Sequence, residues 1–172
     1  MKGVRVNARG DQVVCGLPLF QAVDVPRRHP LFYLEGDDPS SVTDHLSLPV
    51  RTLCAKKYTP DSAWKNMDAL THRFDNPVFD GLYLDLNPES SNWGQRPERW
   101  KGDVGSVLVV ARDGKDLTVE EVEQIYHFSR DWLLPRVRQC ADGEGSVASR
   151  RAVLHQFTPD TFREYSGIMD ES

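Results

Sequence analysis

Apolar positions along this chain follow two periods. Through the first two thirds they fall in short runs that alternate with polar residues, the two-residue period of a half-buried strand. Beyond Thr118 they recur every three to four residues, the period of a helix with one buried stripe. Val4 and Val6 begin a β-prone run over residues 4–7, and a second such run covers 12–15. The four residues between them include Gly10, so the pair reads as a hairpin. Prolines at 18, 26, 30 and 39 then favour extended chain, because each lacks an N–H and biases its predecessor away from helix. Within that stretch residues 20–25 read as an edge strand, and 35–41 as a polar loop. Residues 49–55 read as another strand, with Val50, Thr52 and Cys54 on one face and Arg51 and Leu53 on the other.

Residues 59–77 are polar and aperiodic, and read as a loop with a helical turn near 61–70. Residues 80–86 alternate: Leu82, Leu84 and Leu86 point one way, Tyr83 and Asp85 the other, and Asn87-Pro88 ends the run as a turn. A loop bearing Trp and Arg occupies 88–102. Residues 104–111 are the most hydrophobic segment and read as the central strand, with Val107, Leu108, Val109 and Val110 apolar on both faces.

Thr118-Val119-Glu120-Glu121 fits a capping box and opens the strongest helix. Val119, Val122, Ile125, Tyr126, Trp132 and Leu133 form its expected buried stripe, and Pro135 is expected to kink or end it. A Gly-rich linker at 141–146 separates it from a short helix over 147–157. Thr158-Pro159-Asp160 then supplies a cap, a proline at the first helical position and an early acid, which predicts a last helix over 159–166. Strands succeeded by helices predict an α+β fold, a mainly antiparallel sheet with C-terminal helices packed on one face. Residues 1–166 form a single domain on this reading, and 167–172 a frayed tail.

Composition narrows the function classes. The 172 residues carry 21 Lys+Arg against 26 Asp+Glu, so a basic nucleic-acid footprint is not the default expectation. The longest uninterrupted apolar run is 107–111, far short of the roughly 20 residues that span a bilayer. The N-terminus lacks the apolar h-region of a signal peptide. Three cysteines at 15, 54 and 140 give neither a C-x-x-C pair nor a full disulfide framework, which fits a reducing, cytoplasmic setting.

Several segments of the central region are similar to a known pattern. They are Phe74-Asp75-Asn76-Pro77; Leu84-Asp85; Ser91-x-Trp93-Gly94-x-x-Pro97-x-x-Trp100; residues 104–112; and Asp116-Leu117-Thr118. Together they resemble a domain of uncharacterised fungal proteins, some of which carry a MYND-type zinc finger. The resemblance covers residues 1–166, and the spacing of Trp93, Gly94, Pro97 and Trp100 is its most specific part. The cysteines needed for the finger are absent, so zinc binding is not carried over. The resemblance implies a fungal source and an intracellular setting, and genes of this kind can lie among those of secondary metabolism.

The residues themselves offer a limited set of candidates. Asp85 is a carboxylate on the strand face opposite three leucines, able to act as a general base or to hold a cationic group; a solvated outer face is the competing reading. Tyr83 shares that face. Trp93, Arg96, Arg99 and Trp100 bring indoles and guanidiniums together, a set suited to a planar or anionic ligand, or to pinning a loop on the body of the protein. His127 lies at the margin of the main helix stripe, where a proton shuttle and a rim histidine are the alternatives. His72 with Asp75 is a possible acid/base pair, equally explained as a turn network. Cys54 reads as an inert thiol. The five histidines contain no i, i+4 pair, Asp85-x-Asn87-x-Glu89 lacks the rest of a calcium loop, and Gly143-x-Gly145-x-x-Ala148 comes after a helix rather than a strand. No metal or cofactor is expected.

These residues leave two function classes. One is a small metal-free enzyme of fungal secondary metabolism, performing acid/base cyclisation, isomerisation or (amino)acyl transfer such as cyclodipeptide formation from charged tRNA. In it Asp85 and His127 are catalytic, and Tyr83, Trp93, Arg96 and Trp100 bind substrate. The other is a non-catalytic protein-interaction or regulatory domain. The partner in the first class is a small-molecule or aminoacyl substrate; neither class involves a membrane.

Overall fold

A computed structural model describes residues 1–8, 12–13, 16–26, 32–33, 41–55, 76, 79–96, 106–142 and 145–170. Five strands, β1 (Lys2–Val6), β2 (Phe20–Asp24), β3 (Phe32–Tyr33), β4 (Val50–Ala55) and β5 (Val107–Ala111), form one sheet in the order β2-β1-β5-β4-β3. Every pairing is antiparallel. Among the described residues the helices that bear on the core are α1 (Ser41–His45), α2 (Phe79–Leu82), α3 (Val119–Phe128), α4 (Leu134–Asp142), α5 (Val147–Gln156) and α6 (Pro159–Asp170), with a π-helical turn, Ser129–Leu133, joining α3 to α4. The architecture is α+β.

The central strand is β5, as its unbroken apolar run requires. Val4 pairs with Val109 and Val6 with Val107 on one side, while Thr52 and Cys54 pair with the same two valines on the other. That face meets the helices, and its core joins Val4, Val6, Phe20, Val107 and Val109 to Ile125, Phe128, Leu133, Phe157 and Phe162. Leu108 and Val110 point the opposite way and pack with Val25 and Leu53. All four residues 107–110 are buried, so both faces of the strand are covered.

The N-terminal hairpin differs from expectation. Strand β1 pairs with β2, Val6 opposite Phe20, and residues 12–13 are helical rather than extended. Asn7 holds the connection closed: its backbone N–H donates to Leu19 O at 2.8 Å and its side-chain amide to Pro18 O at 2.7 Å. Gln12 reaches back, donating from its side chain to Asn7 O at 3.0 Å. Residues 20–24 form the expected edge strand. The helical turn expected near 61–70 lies outside the described residues.

The main helix starts where its capping box predicts. Glu121 N–H donates to Thr118 Oγ1 at 3.2 Å, and Thr118 N–H donates to Glu121 Oε2 at 2.7 Å. It does not stop at Pro135. The Leu134 N–H donates to Ser129 O, five residues back, and helix continues to Asp142. A proline removes the bond to the carbonyl four residues earlier and collides with it; the wider turn just before Pro135 moves that carbonyl out of the ordinary ladder. The last helix is also longer than expected and runs through Asp170, so 167–170 is helical rather than frayed. Replacing Thr118 with Ala removes a cap to Glu121 and should lower stability by about 1 kcal/mol in urea unfolding. An unchanged midpoint would mean that the cap is energetically idle.

Candidate functional site

The stretch expected as a strand over residues 80–86 is instead the one-turn α2 succeeded by irregular chain. The alternation misled because Tyr83 is as buried as the leucines beside it: Leu82, Tyr83, Leu84 and Leu86 all enter the helix-facing core. Their backbone bonds serve a loop. Asp85 N–H donates to Gln95 O at 2.8 Å, and Gly94 N–H donates back to Asp85 O at 2.9 Å, closing residues 85–95 into a ring. Ser41 Oγ donates to Leu84 O.

Asp85 is half-buried, and both its carboxylate oxygens are used inside that ring. The Asn87 N–H donates to Oδ1 at 2.9 Å, an Asx turn, and the Ser90 hydroxyl donates to Oδ2. Asp85 therefore does meet the Trp-bearing loop, through hydrogen bonds that shape it. Trp93 is 2% exposed. Its Nε1–H donates to Val137 O on α4 at 3.3 Å, and the guanidinium of Arg150 lies 5.7 Å from its ring centroid. Arg150 also donates to Pro88 O at 3.1 Å and Ser90 O at 2.9 Å, so one side chain of α5 clamps the loop at residues 88–93. Gly94 has φ +72° and lies so close to Val137 that a Cβ would come within 2.9 Å of Cγ1, which reserves the position for glycine. Tyr83 is fully buried, Arg96 is half-buried, and Trp100 lies outside the described residues. Tyr83 and Trp93 are core anchors with no surface to offer a ligand.

His127 belongs to a different surface. Its ring centroid is 5.3 Å from that of Tyr126, and Asp131 stands one turn further along. Arg130 grips Asp131 with two bonds, Nε to Oδ1 at 2.6 Å and Nη2 to Oδ2 at 2.7 Å, and lies 5.1 Å over the Tyr126 ring. That grip, aided by the charge of His127, holds the Asp131 carboxyl below the usual carboxylate range and raises the Arg130 guanidinium. Asp85 and His127 are thus not brought together by any contact among the described residues.

A cleft of about 580 Å³ opens beside the π-helical turn, lined by Asp131, Trp132, Pro135, Arg136, Gln139, Gln156 and Phe157. Trp132, expected in the buried stripe, is 53% exposed. The π turn explains this. Closing a turn over one additional residue rotates the downstream side chains by about 100°, so Leu133 and Leu134 take the inward positions and Trp132 turns outward. The indole is supported from behind. Phe128 lies nearly parallel to it at 6.4 Å and Tyr165 meets it edge-on at 5.6 Å. Phe128 is itself fully buried between Phe157, Phe162 and Tyr165. Ser129, buried at the start of the turn, donates to Gly81 O and ties the turn to α2.

A second hollow, of about 290 Å³, lies where Leu48, Val50, Leu117, Ile125 and Phe162 meet below Asp113, Lys115, Asp116 and Glu121. Its rim charges are engaged: Asp113 pairs with Lys115 at 2.9 Å, Asp116 accepts from Lys2 N–H at 2.7 Å, and Glu121 belongs to the capping box. Among the described residues no three His, Cys, Asp or Glu side chains come together as a metal-ion set. The chain matches no family model, no curated protein and no solved structure.

Sequence patterns missed Arg150, Arg136 and the cleft itself. The available signal was Pro135 inside a periodic helix, which marks a place where regular geometry must yield. If Asp85 shapes the loop, Asp85→Ala should cost about 1–2 kcal/mol of stability, and Asp85→Asn, which keeps an acceptor, less than half of that. Denaturant titration of the two variants checks this; an Ala variant as stable as the parent would release Asp85 from its structural role.

Proposed function

We propose that this chain is a non-catalytic binding domain whose recognition site is the cleft at the π-helical turn. One observation carries this reading: a tryptophan half exposed at the mouth of an open cleft and braced by the buried Phe128 and the partly buried Tyr165. A rigid indole offers large contact area at small entropic cost, and tryptophan is enriched among the residues that dominate binding energy. The cleft volume also falls in the range of ligand sites, about 300–1,000 Å³. No helix among the described residues is long and apolar enough to cross a membrane. A cytoplasmic setting belongs to the same proposal, supported by the cysteine pattern in the sequence.

The enzyme reading keeps one specific support. His127 lies one helical turn before Asp131, which lines a cleft large enough for a substrate. On that reading the chain is a small acid/base enzyme of fungal secondary metabolism, a cyclase, isomerase or (amino)acyl transferase. Asp85 supports it less, because its oxygens already accept bonds from Asn87 and Ser90.

Expression of the parent, Asp85→Asn and His127→Gln in a host lacking the protein, with untargeted comparison of metabolites, separates the two. The binding reading expects no compound that depends on the chain. A new compound that disappears with His127→Gln at unchanged melting temperature would establish the enzyme instead.

A further inference from the structure

We infer that the cleft beside Trp132 takes a planar aromatic carboxylate, its ring laid on the exposed indole face and its carboxylate met by Arg136. The inference rests on the proposed binding role of this cleft and names its ligand class.

Charge bookkeeping of the lining decides the sign. Among the described residues Asp131 is the one carboxylate lining the cleft, and its two oxygens are taken by Arg130 in a bidentate pair. Arg136 is exposed and makes no ion pair or hydrogen bond among the described residues. The uncompensated charge of the lining is therefore positive. Guanidinium presents parallel N–H donors that match a carboxylate. Gln139 and Gln156 border the same space and add amide donors for a second oxygen.

Shape decides the rest of the ligand. Phe128 lies nearly parallel to the indole at 6.4 Å and Tyr165 meets it at 70° and 5.6 Å, so the ring is braced by two aromatics while half of its surface stays open to solvent. A flat aromatic group stacks there in the offset manner such rings prefer. Pro135 and Phe157 supply apolar walls that suit the ring and not a second charge. A cationic aromatic would stack on Trp132 equally well but would face Arg136, which disfavours it.

The test uses 2-naphthoate as the probe, with 2-naphthamide and 2-naphthylmethylamine as neutral and cationic counterparts, in calorimetric titration of the full chain. Naphthoate should bind at least about tenfold more tightly than either counterpart, the loss expected for one charge-assisted contact. Arg136→Gln, at an exposed position, should remove that preference while leaving the melting temperature unchanged. Trp132→Ala should abolish binding of all three; should it unfold the chain, Arg136→Gln alone decides. In ¹H–¹⁵N spectra the Trp132 indole N–H should shift with naphthoate. Equal binding of the three probes, preference for the amine, or no binding at all overturns the ligand class. The host-expression comparison does not depend on these outcomes, so failure here leaves the binding role standing or falling on its own.

Discussion

Pro135 offers no N–H to the carbonyl of residue 131, and in a regular α-helix its ring would collide with that oxygen, yet helix extends on both sides of it. An ordinary α-helical ladder cannot pass through such a position without a break. The chain inserts one π-helical turn, with Leu134 bonded to Ser129, and the helix goes on to Asp142. That single change of pitch has three consequences. It places Leu133, Leu134 and Val137 in the core, it turns Trp132 to solvent, and it opens the cleft between α4 and the end of α5. The surface to which we assign binding thus descends from one missing hydrogen atom.

The inner side of the same helix has a different task. Val137 O accepts from Trp93, and Gly94 approaches Val137 so closely that no side chain fits. The 85–95 ring therefore presses on the buried face of α4, while Arg136 and Gln139 face out into the cleft. Asp85, Asn87, Ser90 and Arg150 complete the ring from within and above. Tryptophans at 93 and 132 illustrate the division: one is spent on cohesion, the other is free to meet something else.

Much of the fold was legible in the sequence because it rests on local rules. The capping box at Thr118, the apolar run at 107–110 and the edge strand at 20–24 stand as expected, and the proline-led last helix starts as expected but runs on to Asp170; each involves neighbours in the chain. Two of the misses are places where distant contacts overrule local pattern, and the third is a local change of helical pitch. Residues 12–15 are β-prone, but Asn7 ties the chain directly to residues 18 and 19, so β2 takes the place beside β1. Leu82 to Leu86 alternates like a strand, but Tyr83 has core on its own side too, and the backbone finds its partners in Gly94 and Gln95. Trp132 fits the helical stripe until the phase changes at the π turn. The candidate site was not legible in the same way. Asp85, His127, Tyr83, Trp93 and Arg96 do not line the cleft, the bonds of Asp85 to its loop are architecture, and neither the exposure of Trp132 nor Arg136 carried a pattern to mark it.

Function on this view depends on whether Trp132 faces outward while Trp93 does not. Hydroxyl-radical labelling, resolved by residue with mass spectrometry, measures this directly on the native chain. Trp132 should be oxidised rapidly, and Trp93 should be protected until the protein unfolds. Protection of Trp132 to the level of Trp93 would mean that the helix keeps a regular phase through Pro135, and the cleft with its proposed ligand would be lost with it.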